Sequence, residues 1–219
     1  MLPRIARKAR TFVTVSHLIA KLLFERHGMK PLVIHHGVDV DRFNLRMNGD
    51  SVRNEFSKSE KIILSVIRLQ DDKDPFTLLG PATTVCKKHD VRFVIIGDGP
   101  LVSSARLFVI KNNLGSKVHI VPYVSWHDIN TYYAACDLFV MPSLDEAFGM
   151  VVTEAAACGK SVIVSEFGAF PEILGNGGCF FEPRRAKELA DRISQLLTNA
   201  EERDEVASNG YRRMIDNFR

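Results

Sequence analysis

Apolar, β-branched residues gather in short runs along the chain: "TFVTV" (11–15), "PLVIH" (31–35), "KIILSV" (61–66), "VRFVII" (91–96), "KVHIV" (117–121), "DLFVM" (137–141) and "KSVIVS" (160–165). Their apolar positions are mostly consecutive rather than alternate, as in strands buried on both faces. Between most of them lie stretches of helical period, at 75–88, 101–113, 126–135 and 149–158. From 186 onward the chain reads as helical and charged. Buried strands alternating with helices predict βαβ units: an α/β fold with an open parallel sheet and helices on both faces.

In such sheets ligands bind beyond the carboxyl ends of the strands. That rule selects four loops, "RLQDDKD" (68–74), "GDGPL" (97–101), "PYVSW" (122–126) and "PSLDEAFGM" (142–150). Arg68 and Lys73 place two cations in one loop. They suit a diphosphate, or they pair with Asp71, Asp72 and Asp74 at the surface. In "GDGPL", Gly97 and Gly99 allow a tight turn or close approach of a ligand. Position 102 is valine, so the third glycine of a dinucleotide fingerprint is missing.

"DEAFGMVVTEAAACG" carries the most chemistry. Gly149 stands where a helix should begin, and the backbone N–H groups of Phe148, Gly149 and Met150 would be free at its positive end, ready for an anion or hydroxyl. Glu146 precedes that start and Glu154 lies about one and a half turns inside it. The pair could grip a polyol; alternatively Glu146 caps the helix and Glu154 is solvated. A retaining glycosidase would use two carboxyls about 5 to 5.5 Å apart. Cations and a helix N-terminus would then surround an uncharged substrate, so a phosphate-bearing sugar donor accounts for more of the features.

Composition narrows the setting. With 219 residues, 46% of them hydrophobic, the chain can bury one large core. A net charge of +3 without basic runs interleaved with aromatics points away from nucleic acid. Four scattered cysteines without a C-x-x-C pair suggest a reducing compartment, and we expect a cytoplasmic protein. No apolar run approaches the roughly 20 residues of a membrane span. The basic start "MLPRIARKAR" leaves room for association with a membrane surface.

Taken in order, the motifs resemble those of the retaining GT-B glycosyltransferases of glycosyltransferase family four. The residues carrying the resemblance are "VSHLIAKLLFERHG", "VIHHGVDVDRF", "SVIRLQDDKD", "FVIIGDGPL", "VPYVSWHDINTYYAACDLFVMPS", "EAFGMVVTEAAACGKSVIVS" and "GAFPEILGNGGCFFEP". It implies a Rossmann-like domain, the C-terminal half of a GT-B fold, that binds a nucleoside-diphosphate sugar. Arg68 and Lys73 would hold the diphosphate and Glu154 the ribose. Glu146 would face the transferred sugar, while backbone N–H groups from Phe148 through Gly149 and Met150 to Val151 bind sugar hydroxyls and phosphate. Gly97 would border the donor, and the base would lie near Tyr123 and Val124. The resemblance implies no metal and no cofactor besides the donor substrate.

Several positions depart from the family's pattern. Ile67 and Asp74 stand where glycines are usual, Asp74 bringing negative charge beside the phosphate site. Ala147 is a mild change, His36 replaces an asparagine and Ser161 a proline. The resemblance also implies an N-terminal acceptor-binding domain that this chain lacks. Residues 1–15 are then expected to be a hinge remnant, and 16–219 the donor-binding domain of a hexosyltransferase, weakly active or inactive alone. The acceptor could be lipid-linked. The competing reading is a non-catalytic nucleotide-sugar-binding or scaffold domain that acts through a partner chain.

Overall fold

Six of the strands build one sheet in which every pairing is parallel. The computed structural model describes residues 9–56 and 59–219. β3 (Lys61–Val66) lies at the centre, with β4 (Val91–Ile96) and then β5 (Val118–Val121) on one side. β6 (Leu138–Met141), β7 (Ser161–Ser165) and β8 (Cys179–Phe181) follow on the other. Lys61 pairs with Val91 and Val66 with Ile96, while Ile63 pairs with Leu138. The chain thus winds outward from β3 to β5, returns to lay β6 beside β3, and winds outward again. The reversal opens a crevice at the carboxyl ends of β3 and β6, where ligands of such sheets bind.

The consecutive apolar runs have the expected cause. Every residue of β6 and β7 is buried, so neither face of these strands calls for polar positions. Leu64, Ile95, Phe139, Val140 and Ile163 are at most 1% exposed, and each such burial contributes about 1.5 to 3 kcal/mol.

After a short α2 (Asp50–Arg53), helices α3 (Pro75–Lys88), α4 (Val102–Lys111), α5 (Ile129–Ala135) and α6 (Met150–Ala157) fall within the predicted stretches. The charged C-terminal region forms α8 (Ala186–Thr198) and α9 (Ala200–Asn217), separated by Asn199, whose side chain caps α9 at Glu202. α3 packs on α4 and α8, and α6 packs on α9. The strand β8 and the short α7 (Phe170–Leu174) before it were not expected.

The first two runs correct the expectation of one continuous sheet. β1 (Val13–Thr14) and β2 (Leu32–Val33) pair with each other in a separate two-stranded parallel sheet. α1 (His17–His27) joins them, capped by Ser16 and closed by Gly28 in the left-handed conformation. Glu172 of α7 ties this unit down by accepting the backbone N–H groups of His17 and Leu18 and meeting His35 Nε2 at 2.9 Å. Most of the basic start, residues 1–8, lies outside the described residues, and with it most of the expected hinge. No helix among the described residues is long and apolar enough to cross a membrane.

Candidate functional site

Two adjoining cavities occupy the crevice. The larger, about 680 Å³, is lined among others by Arg68, Gly97, Tyr123, Val124, Trp126, Tyr133 and Glu154. The smaller, about 370 Å³, is lined by residues that include His36, Arg68, Lys73, Glu146, Phe148, Gly149 and Met150. Val66, Ile67, Arg68 and Val151 border both, so Arg68 stands at their junction. All eleven residues to which the resemblance gives a role at the donor site therefore line one cavity or the other.

Arg68 lies two residues past the end of the central strand β3 and is exposed. Among the described residues no carboxylate pairs with its guanidinium, so the surface-pairing alternative does not hold for it. Lys73 behaves differently. Its Nζ lies 3.0 Å from Glu146 Oε2, 2.7 Å from the Asp145 carbonyl and 3.2 Å from Ser143 Oγ. Asp72 is more distant, at 3.5 Å. Lys73 is thus held by the β6 loop across the crevice rather than by its own loop's acids.

Asp74 does not line either cavity. It adopts a left-handed φ of 44° and its carboxylate accepts the N–H of Thr77, capping α3. Aspartate tolerates this conformation better than most side chains but less readily than glycine. Its charge serves the helix end instead of crowding the phosphate position.

Gly149 opens α6 with φ 92° and ψ 56°, and a Cβ there would lie 2.6 Å from Phe170 Cε1. Among the described residues no side chain caps α6, Glu146 included, which removes its alternative role. The N–H groups from Phe148 to Val151 meet no acceptor among the described residues, and these four residues line the smaller cavity. The Phe148 side chain is buried under His36 and Phe218, so that residue offers its backbone alone.

Glu154 is not a solvated surface charge. Tyr133, fully buried, donates its hydroxyl to Glu154 Oε2 at 2.7 Å. Burial pushes the Glu154 carboxyl above its usual range, partly offset by the Tyr133 hydrogen bond and the positive charge of Arg42. A carboxylate in this state has a strong drive to accept hydroxyl hydrogen bonds.

The glycines of "GDGPL" approach the chain itself. A Cβ on Gly97 would fall 1.8 Å from the Ile67 carbonyl, and Leu69 bonds Asp98 and Leu101 through the backbone. This stitches the β3 and β4 loops into one wall. Tyr123 and Val124, from the loop after β5, form the opposite side of the larger cavity. Sequence reading missed Tyr133, hidden on an apolar helix face, and Trp126, the sole tryptophan of the chain, although its loop had been selected. His17, His35 and Glu172 have metal-ligand spacing, but both Glu172 oxygens are engaged and the cluster lines neither cavity.

A parallel six-stranded sheet with this strand order and a loop crevice at its reversal is a Rossmann-like domain, and its match to solved glycosyltransferases makes it the GT-B type. The solved structure of Anabaena HepE in complex with UDP and glucose superimposes with a TM-score of 0.89 at 23% identity, over 97% of this chain and 60% of that one. Sucrose-phosphate synthase from Thermosynechococcus elongatus gives 0.84 at 25% identity, over 96% and 55%. The chain belongs to the family of group 1 glycosyl transferases, which matches residues 49–213.

Curated relatives agree. An uncharacterised glycosyltransferase of Methanocaldococcus jannaschii is 36% identical over 126 residues, covering 57% of this chain and 36% of that protein. A D-inositol 3-phosphate glycosyltransferase of Mycobacterium sp. (strain JLS) is 30% identical over 210 residues, covering 89% and 46%. The chain spans less than half the length of these relatives.

Proposed function

We propose that this chain is the donor-binding half of a retaining glycosyltransferase of family four, one that moves a hexose from a nucleoside-diphosphate sugar to an acceptor hydroxyl. The observation that carries the reading is Arg68, whose guanidinium meets no carboxylate among the described residues and stands at the junction of two cavities. A diphosphate placed there would have the ribose toward Glu154 and the sugar toward Glu146. HepE, similar in fold, holds UDP and glucose, which supports a nucleotide-sugar in this crevice.

The chemistry follows from charge. Breaking the bond between the sugar and the diphosphate places negative charge on the leaving oxygen. Arg68 and the free N–H groups at the start of α6 stabilise that charge where it develops. Lys73, shared between Glu146 and the phosphate position, adds to it. The leaving diphosphate can draw the acceptor's proton as the hydroxyl attacks on the face it vacates, so the anomeric configuration is retained. No residue need act as a separate base. An acceptor domain closing over the crevice would exclude water, and this chain alone should transfer little.

The test is spectroscopic. UDP should shift the amide signals of residues 68–73 and 146–154 in the isolated chain. Joined to an acceptor domain, the wild-type chain should transfer sugar and the Arg68→Ala variant should not. Unchanged amides at millimolar UDP would remove the reading.

A further inference from the structure

The larger cavity has an aromatic wall, of which only Tyr123 was given a role from the sequence. Trp126 lines it with 63% of its surface exposed, and Tyr123, three residues earlier on the same loop, is 77% exposed. Large rings left open to solvent beside a cavity are available to stack on a planar ligand.

One face of the Trp126 ring is occupied by a residue that does not line the cavity. The Arg42 guanidinium lies over that face and reaches the Phe43 ring as well, 4.9 Å from its centroid. Both Arg42 Nη atoms are buried and meet no acceptor among the described residues. Guanidinium groups buried in proteins are ordinarily held by carboxylates or carbonyls. Here two π faces take that place, and the charge of Arg42 reaches Glu154. The arginine is committed to the ring.

The lining of the two cavities sets an order along the crevice. Glu146 and the start of α6 line the smaller cavity, and Arg68 borders both. Glu154, Tyr123 and Trp126 line the larger one alone. A nucleoside-diphosphate sugar carries its groups in the same order: sugar, diphosphate, ribose, base.

We propose that Trp126 and Arg42 recognise the nucleobase together, the base stacking on the cavity side of the indole while the guanidinium fixes the ring from behind. This rests on the donor-binding reading above and extends it to two residues to which the motifs assigned no role. Arg42 is a positioning residue, because it acts through Trp126.

As the sole tryptophan, Trp126 reports directly on its own contacts. Titrating the wild-type chain with UDP should quench and saturate its emission, whereas inorganic pyrophosphate, which has no base, should bind without quenching. Trp126→Ala should weaken UDP binding about tenfold by calorimetry and leave pyrophosphate affinity unchanged, while Trp126→Phe retains most of the UDP affinity. Arg42→Ala should shift the emission of the free protein to longer wavelength and weaken UDP about threefold, again sparing pyrophosphate. Because Trp126 is mostly exposed, its replacement leaves the core intact. UDP binding equally tightly to wild type and Trp126→Ala would overturn the inference and leave the donor site standing. If neither UDP nor pyrophosphate perturbs the 68–73 and 146–154 amides, the donor site and this inference fall together.

Discussion

Lys73 and Glu146 face each other across the reversal of the sheet, ammonium to carboxylate at 3.0 Å, with about a fifth of each side chain exposed (18% and 19%). The pair ties the loop after β3 to the loop after β6. Lys73→Ala leaves Glu146 without its charged partner and should cost about 1 to 3 kcal/mol of stability. It also removes a cation from the phosphate position, so UDP affinity should fall about tenfold or more. Chemical denaturation and calorimetry measure the two effects separately. Glu146→Gln should preserve UDP binding, since it releases Lys73 toward the phosphate.

Glu154 predicts a pH dependence of the less usual sign. Burial holds its carboxyl above the ordinary range in the folded state, so the folded protein binds this proton more tightly than the unfolded chain. Ionising Glu154 therefore costs stability, a cost complete above the raised folded value and absent below the unfolded one, near pH 4.3. Glu154→Gln should be more stable than wild type at neutral pH, and the advantage should vanish as the pH falls to about 4. The same variant should weaken UDP binding. Thermal melts across that range decide it; an advantage that grows on acidification would contradict the assignment.

Glu172 should show the opposite behaviour. Burial alone would raise its carboxyl, but the His17 N–H, the His35 ring and the Leu18 N–H outweigh it and hold it below the usual range. Its stabilisation is present above the unfolded value and is lost as the pH falls through the lowered folded one. Glu172→Gln should destabilise the protein at neutral pH by about 1 to 3 kcal/mol. The deficit should shrink at low pH. Amide exchange should show α1 loosened first.

Gly149→Ala combines a disfavoured positive φ with a Cβ placed against Phe170. It should destabilise by more than about 1 kcal/mol and displace the N–H groups that start α6. UDP affinity should fall even in protein that remains folded at the assay temperature. Equal affinity would show that these N–H groups do not contact the ligand.

Much of the central sheet could be read from the sequence because strands buried on both faces leave runs such as "VRFVII" that few other environments produce. β8 could not, being three residues long behind two glycines, too short for any period. The pairing of β1 with β2 was equally hidden: their residue types announce strands, but the choice of neighbour is a tertiary event. In the site, Arg68 and Gly149 were legible because loops after strands carry few residues without a purpose. Tyr133 sits on the apolar side of α5 and reads as core, which it also is. Arg42 was invisible for another reason. Its partner Trp126 is 84 positions away, and no local pattern announces a ring stacked over such a distance.

That same remoteness governs how the chain comes to be made. The backbone N–H of Ile62, at the foot of β3, is held by Asp137 before β6, 75 positions later in the sequence. A ribosome that has released β3, β4 and β5 has exposed a central strand with one edge of backbone N–H and C=O groups still unpaired. The binding crevice is accordingly a late product of synthesis, formed by contacts of long sequence separation that assemble slowly. A nucleotide that recognises only the finished crevice would draw nascent molecules toward the native state by mass action, so the yield of soluble protein in a cell should follow its supply.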